Sequence, residues 1–231
     1  MTEAISDNSG VVDKFMGDAV MAYWGPPFTG PDEHAGLACR AAAQALEHLV
    51  RFRQDVAREL GAEADGLDID LRIGVSTGDM IVGTIGSKAS RSFTVMGDPV
   101  NLGSRLEGAN KAYGTHVLIS ERTRELAAAD ANARELDLIR VKGKAEPTRI
   151  YELLPPAEGQ ALLPAPDEAP FQAGLDAYRR QDWEAAERAF REILEAQPDD
   201  SASSIYLERI THLRSEPPPR GWDGVWVFET K

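Results

Sequence analysis

The fold turns on the stretch Asp13-Lys14-Phe15-Met16-Gly17-Asp18-Ala19-Val20-Met21-Ala22-Tyr23-Trp24. It predicts two short apolar strands joined at Gly17-Asp18. Glycine accepts the backbone angles of a tight hairpin, and aspartate tolerates them. Val11 and Val12 lead in; Val20, Met21, Tyr23 and Trp24 lead out, a run rich in strand formers. Asp18 is therefore a lone carboxylate at the tip of an apolar ribbon, with Lys14 on the incoming strand. Taken alone, Gly-Asp is ordinary turn chemistry and Lys14 an edge charge.

Upstream, the first residues predict the end of a helix stopped at Asn8-Ser9-Gly10. Downstream, Thr29-Gly30-Pro31-Asp32-Glu33 predicts a helix start. Ala38, Ala42, Ala45, Leu49, Phe52 and Val56 then form one apolar stripe at helical spacing. Leu67 to Val75 alternates apolar and polar residues, as a half-buried strand does. Gly78-Asp79 is expected to turn that strand into a hairpin with Met80 to Gly86, and Phe93 to Met96 is a further short strand. Asp98-Pro99 opens a second helix, closed at Tyr113-Gly114. A strand at His116 to Ile119, a short helix from Glu121 and strands at Leu136 to Val141 and Thr148 to Leu154 complete an α+β layer, a mainly antiparallel sheet with helices on one face.

The Pro- and Ala-rich residues 155–168 are expected to be a linker. In residues 169–213, Gly174, Asp182, Trp183, Ala186, Phe190 and Pro198 fall where a tetratricopeptide-like repeat of about 34 residues places them. Such units stack rather than stand alone, so Ile205, Leu207, Ile210 and Leu213 are expected to supply a covering helix. The tail, 214–231, holds two tryptophans and no recognisable pattern.

At 231 residues the chain can hold one ordinary domain and an appendage. No run of about 18 apolar residues predicts a membrane span. The single cysteine, Cys39, cannot form an internal disulfide, which suits a reducing, cytoplasmic setting. The net charge of -13 argues against nucleic acid as a partner. It also repels a nucleoside triphosphate, which must then be held by local cations or bound metal.

The opening stretch gains meaning from a second one, Phe93-Thr94-Val95-Met96-Gly97-Asp98-Pro99-Val100-Asn101-Leu102-Gly103-Ser104-Arg105-Leu106-Glu107. Together, in order and spacing, they resemble the class III nucleotide cyclases, the adenylate and guanylate cyclase catalytic domains. The resemblance covers residues 1–154 and implies a ferredoxin-like sheet. It implies attack of a ribose 3′-hydroxyl on the α-phosphorus of the same nucleotide, with loss of pyrophosphate, in intracellular signalling. By that resemblance Asp18 ligates Mg2+ or Mn2+, Lys14 and Thr94 read the base, and Asn101 orients the ribose. Arg105 meets charge developing at the α-phosphate, and Lys142 contacts phosphate. Lys14 can only donate hydrogen bonds, so it suits the acceptor N1 of adenine and makes ATP the expected substrate. Standing alone, an Asn-Arg pair one turn apart is a solvated helix face, and Lys142-Gly143-Lys144 a charged turn. The family site lies between two domains packed head to tail, so a homodimer is implied.

The resemblance also implies a first metal-binding aspartate on an earlier strand, in a Phe-x-Asp-Ile-type motif that these residues lack. The chain thus resembles a cyclase domain without its front, expected to be inactive or impaired, whereas a version extended upstream is expected to be active. A non-catalytic partner domain, a guanylate cyclase and a repeat-type scaffold binding proteins through 169–213 are the alternatives.

Overall fold

The computed structural model describes residues 1–64, 66–87, 91–127, 131–140, 146–154 and 169–226. A short helix α1 (Thr2–Asp7) leads into the predicted hairpin, β1 (Val11–Met16) and β2 (Ala19–Tyr23). Met16 pairs with Ala19, so Gly17 and Asp18 are the whole loop. Gly17 takes φ +66°, the feature of a II′ hairpin turn that favours glycine at its first position. Trp24 anchors the hairpin by donating its indole N–H to the Asn8 carbonyl, and Asn8 donates in turn to Gln44.

Gln44 belongs to α2 (His34–Leu60), the predicted alanine-rich helix. Its first half is buried, from Ala35 to Leu46. The apolar stripe continues further than its burial does. Leu49 and Val56 are half-buried and Phe52 is 54% exposed.

The main sheet has four strands in the order β3 (Ile73–Val75), β6 (Val117–Ser120), β8 (Thr148–Leu153), β7 (Ala133–Ile139). β3 runs parallel to β6, and the other pairs are antiparallel. The expected pairing of the Leu67–Val75 segment with the strand after Gly78-Asp79 does not form. That strand, β4 (Ile81–Gly86), pairs with β5 (Arg91–Met96) as a separate ribbon. Only Ile73–Val75 of the alternating segment is a strand. Alternation marked a half-buried face, but the partner was decided by residues more than forty positions on, Val117 to Ile119.

Helices cover both faces of the four-stranded sheet, not one. Val117, Ile119, Ala133 and Leu153 face α2 and Ala127 at the end of α4 (Glu121–Ala127). Leu118, Leu136 and Ile150 point the other way, towards α3 (Asp98–Tyr113) and the C-terminal helices α5 (Ala169–Arg179), α6 (Trp183–Ala196) and α7 (Ser201–Ser215). This is why all of β6 is buried: alternate side chains find a core on either side.

Phe171, Leu175, Tyr178, Phe190, Tyr206 and Ile210 therefore share one core with Leu106, Tyr113 and Leu136. A buried ion pair crosses it. Arg209 donates to Asp137 at 2.6 Å, with side chains 5% and 2% exposed. Tyr113, the last residue of α3, donates to the same carboxylate at 2.5 Å. Burial opposes the Arg209 charge, but Asp137 outweighs it and holds the guanidinium above its ordinary range. Nearer the edge, Arg134 bridges Glu152 and Asp200. The tail packs back too: Trp222 lies edge-on to Tyr178, and Trp226 receives the Arg209 guanidinium on its ring. The expected linker, 155–168, lies outside the described residues.

Candidate nucleotide site

Lys14 and Thr94 sit on different ribbons, β1 and β5, and the fold brings them to one carboxylate. Thr94 donates its hydroxyl to Asp13 Oδ2 at 2.9 Å. Lys14 Nζ lies 3.3 Å from the same oxygen. Neighbours on a regular strand point to opposite faces, so the Asp13 and Lys14 side chains should not meet. A bulge resolves this. Val12 pairs with Ala22 and Lys14 with Met21, leaving Asp13 as the extra residue. The Asp13 side chain has no exposed surface, whereas Lys14 is 38% exposed. Its second oxygen, Oδ1, is buried without a hydrogen-bond partner among the described residues. Across the ribbon from Thr94 stands Gly83. A side chain built at Gly83 would meet nothing within 4 Å, so there is open space beside the threonine.

Asp18 is exposed at the hairpin tip. It is a hard oxygen ligand of the type magnesium and manganese take. One carboxylate is not a metal centre, however, and no group of three or more His, Cys, Asp or Glu that could hold an ion occurs among the described residues. The described residues thus do not by themselves fit a metal pair.

Asn101 and Arg105 lie one turn apart on α3, both exposed. Among the described residues no hydrogen bond or ion pair joins either to Asp18, Lys14 or Thr94. What fixes α3 is its buried face. A Cβ on Gly74 of β3 would collide with the Gly103 carbonyl oxygen and the Glu107 backbone nitrogen. Only a glycine lets the helix lie this close to the strand. At its far end α3 stops on Gly114, which takes a left-handed φ of +64°. Lys142 lies outside the described residues.

Sequence reasoning thus named Lys14 and Thr94 but missed Asp13, which joins them. A signal was present: two adjacent charges, Asp13-Lys14, in an otherwise apolar strand cannot both be accommodated by simple alternation.

A hairpin tipped with a carboxylate, a lysine and threonine converging from two ribbons, and a helix presenting Asn and Arg are the features on which the sequence resembles the nucleotide cyclases. Residues 5–154 match the family described as the adenylate and guanylate cyclase catalytic domain. The chain belongs to that family. It is 36% identical over 154 residues to adenylate cyclase 1 of Rhizobium meliloti (strain 1021), covering 66% of this chain and 22% of that protein. It is 31% identical over 210 residues to the terminal-differentiation specific adenylate cyclase of Dictyostelium discoideum, covering 89% of this chain and 10% of that protein. The second match is long enough that it must run past residue 154 into the C-terminal helices. The chain spans less than a quarter of the length of either relative. Among solved structures, the adenylyl cyclase CyaB from P. aeruginosa superposes with a TM-score of 0.55 at 28% identity, over 69% of this chain and 79% of that one.

Proposed function

We propose that this domain is of the adenylate cyclase type, converting ATP to 3′,5′-cyclic AMP and pyrophosphate. The observation that carries the reading is the convergence of Lys14 and Thr94 on Asp13. Lys14 offers only N–H groups, which match the acceptor N1 of adenine and oppose the N1–H of guanine. The family includes both activities, so the base-reading pair decides between ATP and GTP.

The reaction needs alignment and charge neutralisation more than covalent help from the protein. Asn101 orients the ribose, Arg105 stabilises the negative charge growing at the α-phosphate, and Lys142 holds phosphate. A second copy brings Asn101 and Arg105 to the Asp18 and Lys14 of the first. Two observations support such a homodimer. Both α3 residues are exposed, and Phe15, Met16, Ile81, Phe93 and Met96, on the ribbons carrying Lys14 and Thr94, are large apolar side chains left uncovered in one copy. Asp18 would supply one ligand for Mg2+ or Mn2+. One carboxylate does not make a metal pair, so impaired turnover is expected of these 231 residues taken by themselves. The same observation favours a second reading, a non-catalytic partner lending Asn101 and Arg105 to another cyclase subunit. The tetratricopeptide-like spacing of α5 and α6 supports a protein-binding role there, and the single cysteine a cytoplasmic location.

The test is nucleotide binding and turnover with ATP and GTP, for the native chain and Lys14→Glu. The native chain is expected to prefer ATP and the variant to lose that preference. An unchanged preference in Lys14→Glu refutes the assignment. For the partner reading, the native chain is mixed with a full-length cyclase lacking its own transition-state arginine, where restored turnover is expected and its absence counts against the role.

A further inference from the structure

We propose that Asp13 is a specificity-determining positioning residue, which fixes the Thr94 hydroxyl as a hydrogen-bond acceptor beside the Lys14 ammonium. This rests on the adenine-reading role proposed for Lys14 and Thr94. A threonine hydroxyl has one hydrogen and can either donate it to a ligand or accept from one. Thr94 gives its hydrogen to Asp13 Oδ2. What it has left to offer is a lone pair. Lys14, drawn to the same oxygen, offers only hydrogens. The protein therefore presents an acceptor next to a donor. The edge of adenine presents the complement, a donor amine at N6 next to an acceptor at N1. Guanine presents the reverse, O6 and N1–H, and is opposed at both positions.

Two features mark Asp13 as more than a packing residue. A carboxylate sealed from solvent with one oxygen unpartnered is unfavourable, and an apolar side chain would avoid that cost. The bulge that turns Asp13 to the same side as Lys14 likewise interrupts the β1–β2 ladder. Asp13 has no need to touch the nucleotide. It acts through the polarity of Thr94.

The experiment measures ATP and GTP affinity by calorimetry for the native chain, Asp13→Asn, Thr94→Val and the double variant. An asparagine can donate its amide to Thr94, which frees the hydroxyl hydrogen. The ATP-to-GTP affinity ratio is then expected to fall about 10-fold in Asp13→Asn, the effect of one misdirected hydrogen bond. Thr94→Val lowers it similarly, and adding Asp13→Asn to Thr94→Val changes it no further. Thr94→Ser, which keeps the hydroxyl, retains the native ratio, and this arm holds even where Asp13→Asn fails to fold. A merely structural Asp13 would weaken both nucleotides alike, and that result overturns the proposal, as does equal behaviour of Thr94→Ser and Thr94→Val. A native chain with no preference for ATP overturns the adenine reading and this proposal together. A native preference that survives Asp13→Asn overturns this proposal alone.

Discussion

Replacing Arg209 by methionine tests whether the C-terminal helices and the cyclase sheet are one cooperative unit. Methionine keeps the side-chain length and removes the charge. Asp137, 2% exposed in the native chain, then keeps the Tyr113 hydroxyl and the Leu138 amide as neutral donors and has lost its cation. Removing one partner of a buried pair costs about 3–5 kcal/mol, because the other charge is stranded. The stacking of the guanidinium on Tyr113, Tyr206 and Trp226 is lost as well. The assay is urea unfolding followed by circular dichroism. With a slope near the upper end of about 1–3 kcal/mol per molar, the midpoint falls by about 1 M or more. Asp137→Asn in the same chain removes the stranded charge while keeping an acceptor for Tyr113, so the double variant recovers about 1–3 kcal/mol. The whole far-ultraviolet signal should move as one transition, since Arg209 and Asp137 lie in a core built by α3, the sheet and α5–α7 alike. Two transitions in the native chain, with Arg209→Met shifting only the weaker one, would refute the shared core.

Two further predictions concern the same framework. Gly74→Ala places a methyl group against the α3 backbone at Gly103 and Glu107. It should destabilise by about 1–3 kcal/mol, read in a thermal scan as about 2–4 °C per kcal/mol. Asp200→Asn and Glu152→Gln should act oppositely although both touch Arg134. Burial raises the Asp200 pKa, but hydrogen bonds from Arg134 and Ser203 prevail and hold it below 3.8. Its contribution is present above that value and lost as pH falls through the lowered pKa, so Asp200→Asn should destabilise at neutral pH and flatten the acid limb. Burial dominates at Glu152 and holds its pKa above 4.5 despite Arg134. Stability from that group is present below 4.5 and lost as pH rises through the raised pKa, so Glu152→Gln should be neutral or stabilising at pH 7. Denaturation midpoints measured from pH 3 to 7 separate the two.

Local chemistry was legible in the residues, and non-local choices were not. Gly17-Asp18 marked a hairpin, and Asp98-Pro99 with Gly114 marked both ends of α3, because turns and helix ends depend on a few adjacent atoms; the cap itself is Gly97, not the expected Asp98, and no side chain caps that end. The stripe on α2 was legible as a stripe. Where its cover ends, before Phe52, depends on what lies opposite. Strand partners failed for the same reason: Gly78-Asp79 resembles a hairpin turn, yet β3 and β4 join different neighbours. At the candidate site, Lys14 and Thr94 could be named from a motif, but the bulge that aims Asp13 between them depends on the register of β2. Asp137 and Arg209 look like solvated charges in a strand and a helix. Their pairing across 72 residues leaves no mark in either segment.

That long separation has a consequence for synthesis. Leu118, Leu136 and Ile150 face a layer that includes α7, which is translated after all three of them. As the polypeptide leaves the ribosome, the sheet therefore emerges with one greasy flank bare and stays so until α7 follows. Folding of the sheet waits on helices made after it, and a ribosome stalled before Arg209 would release a product that chaperones should recognise.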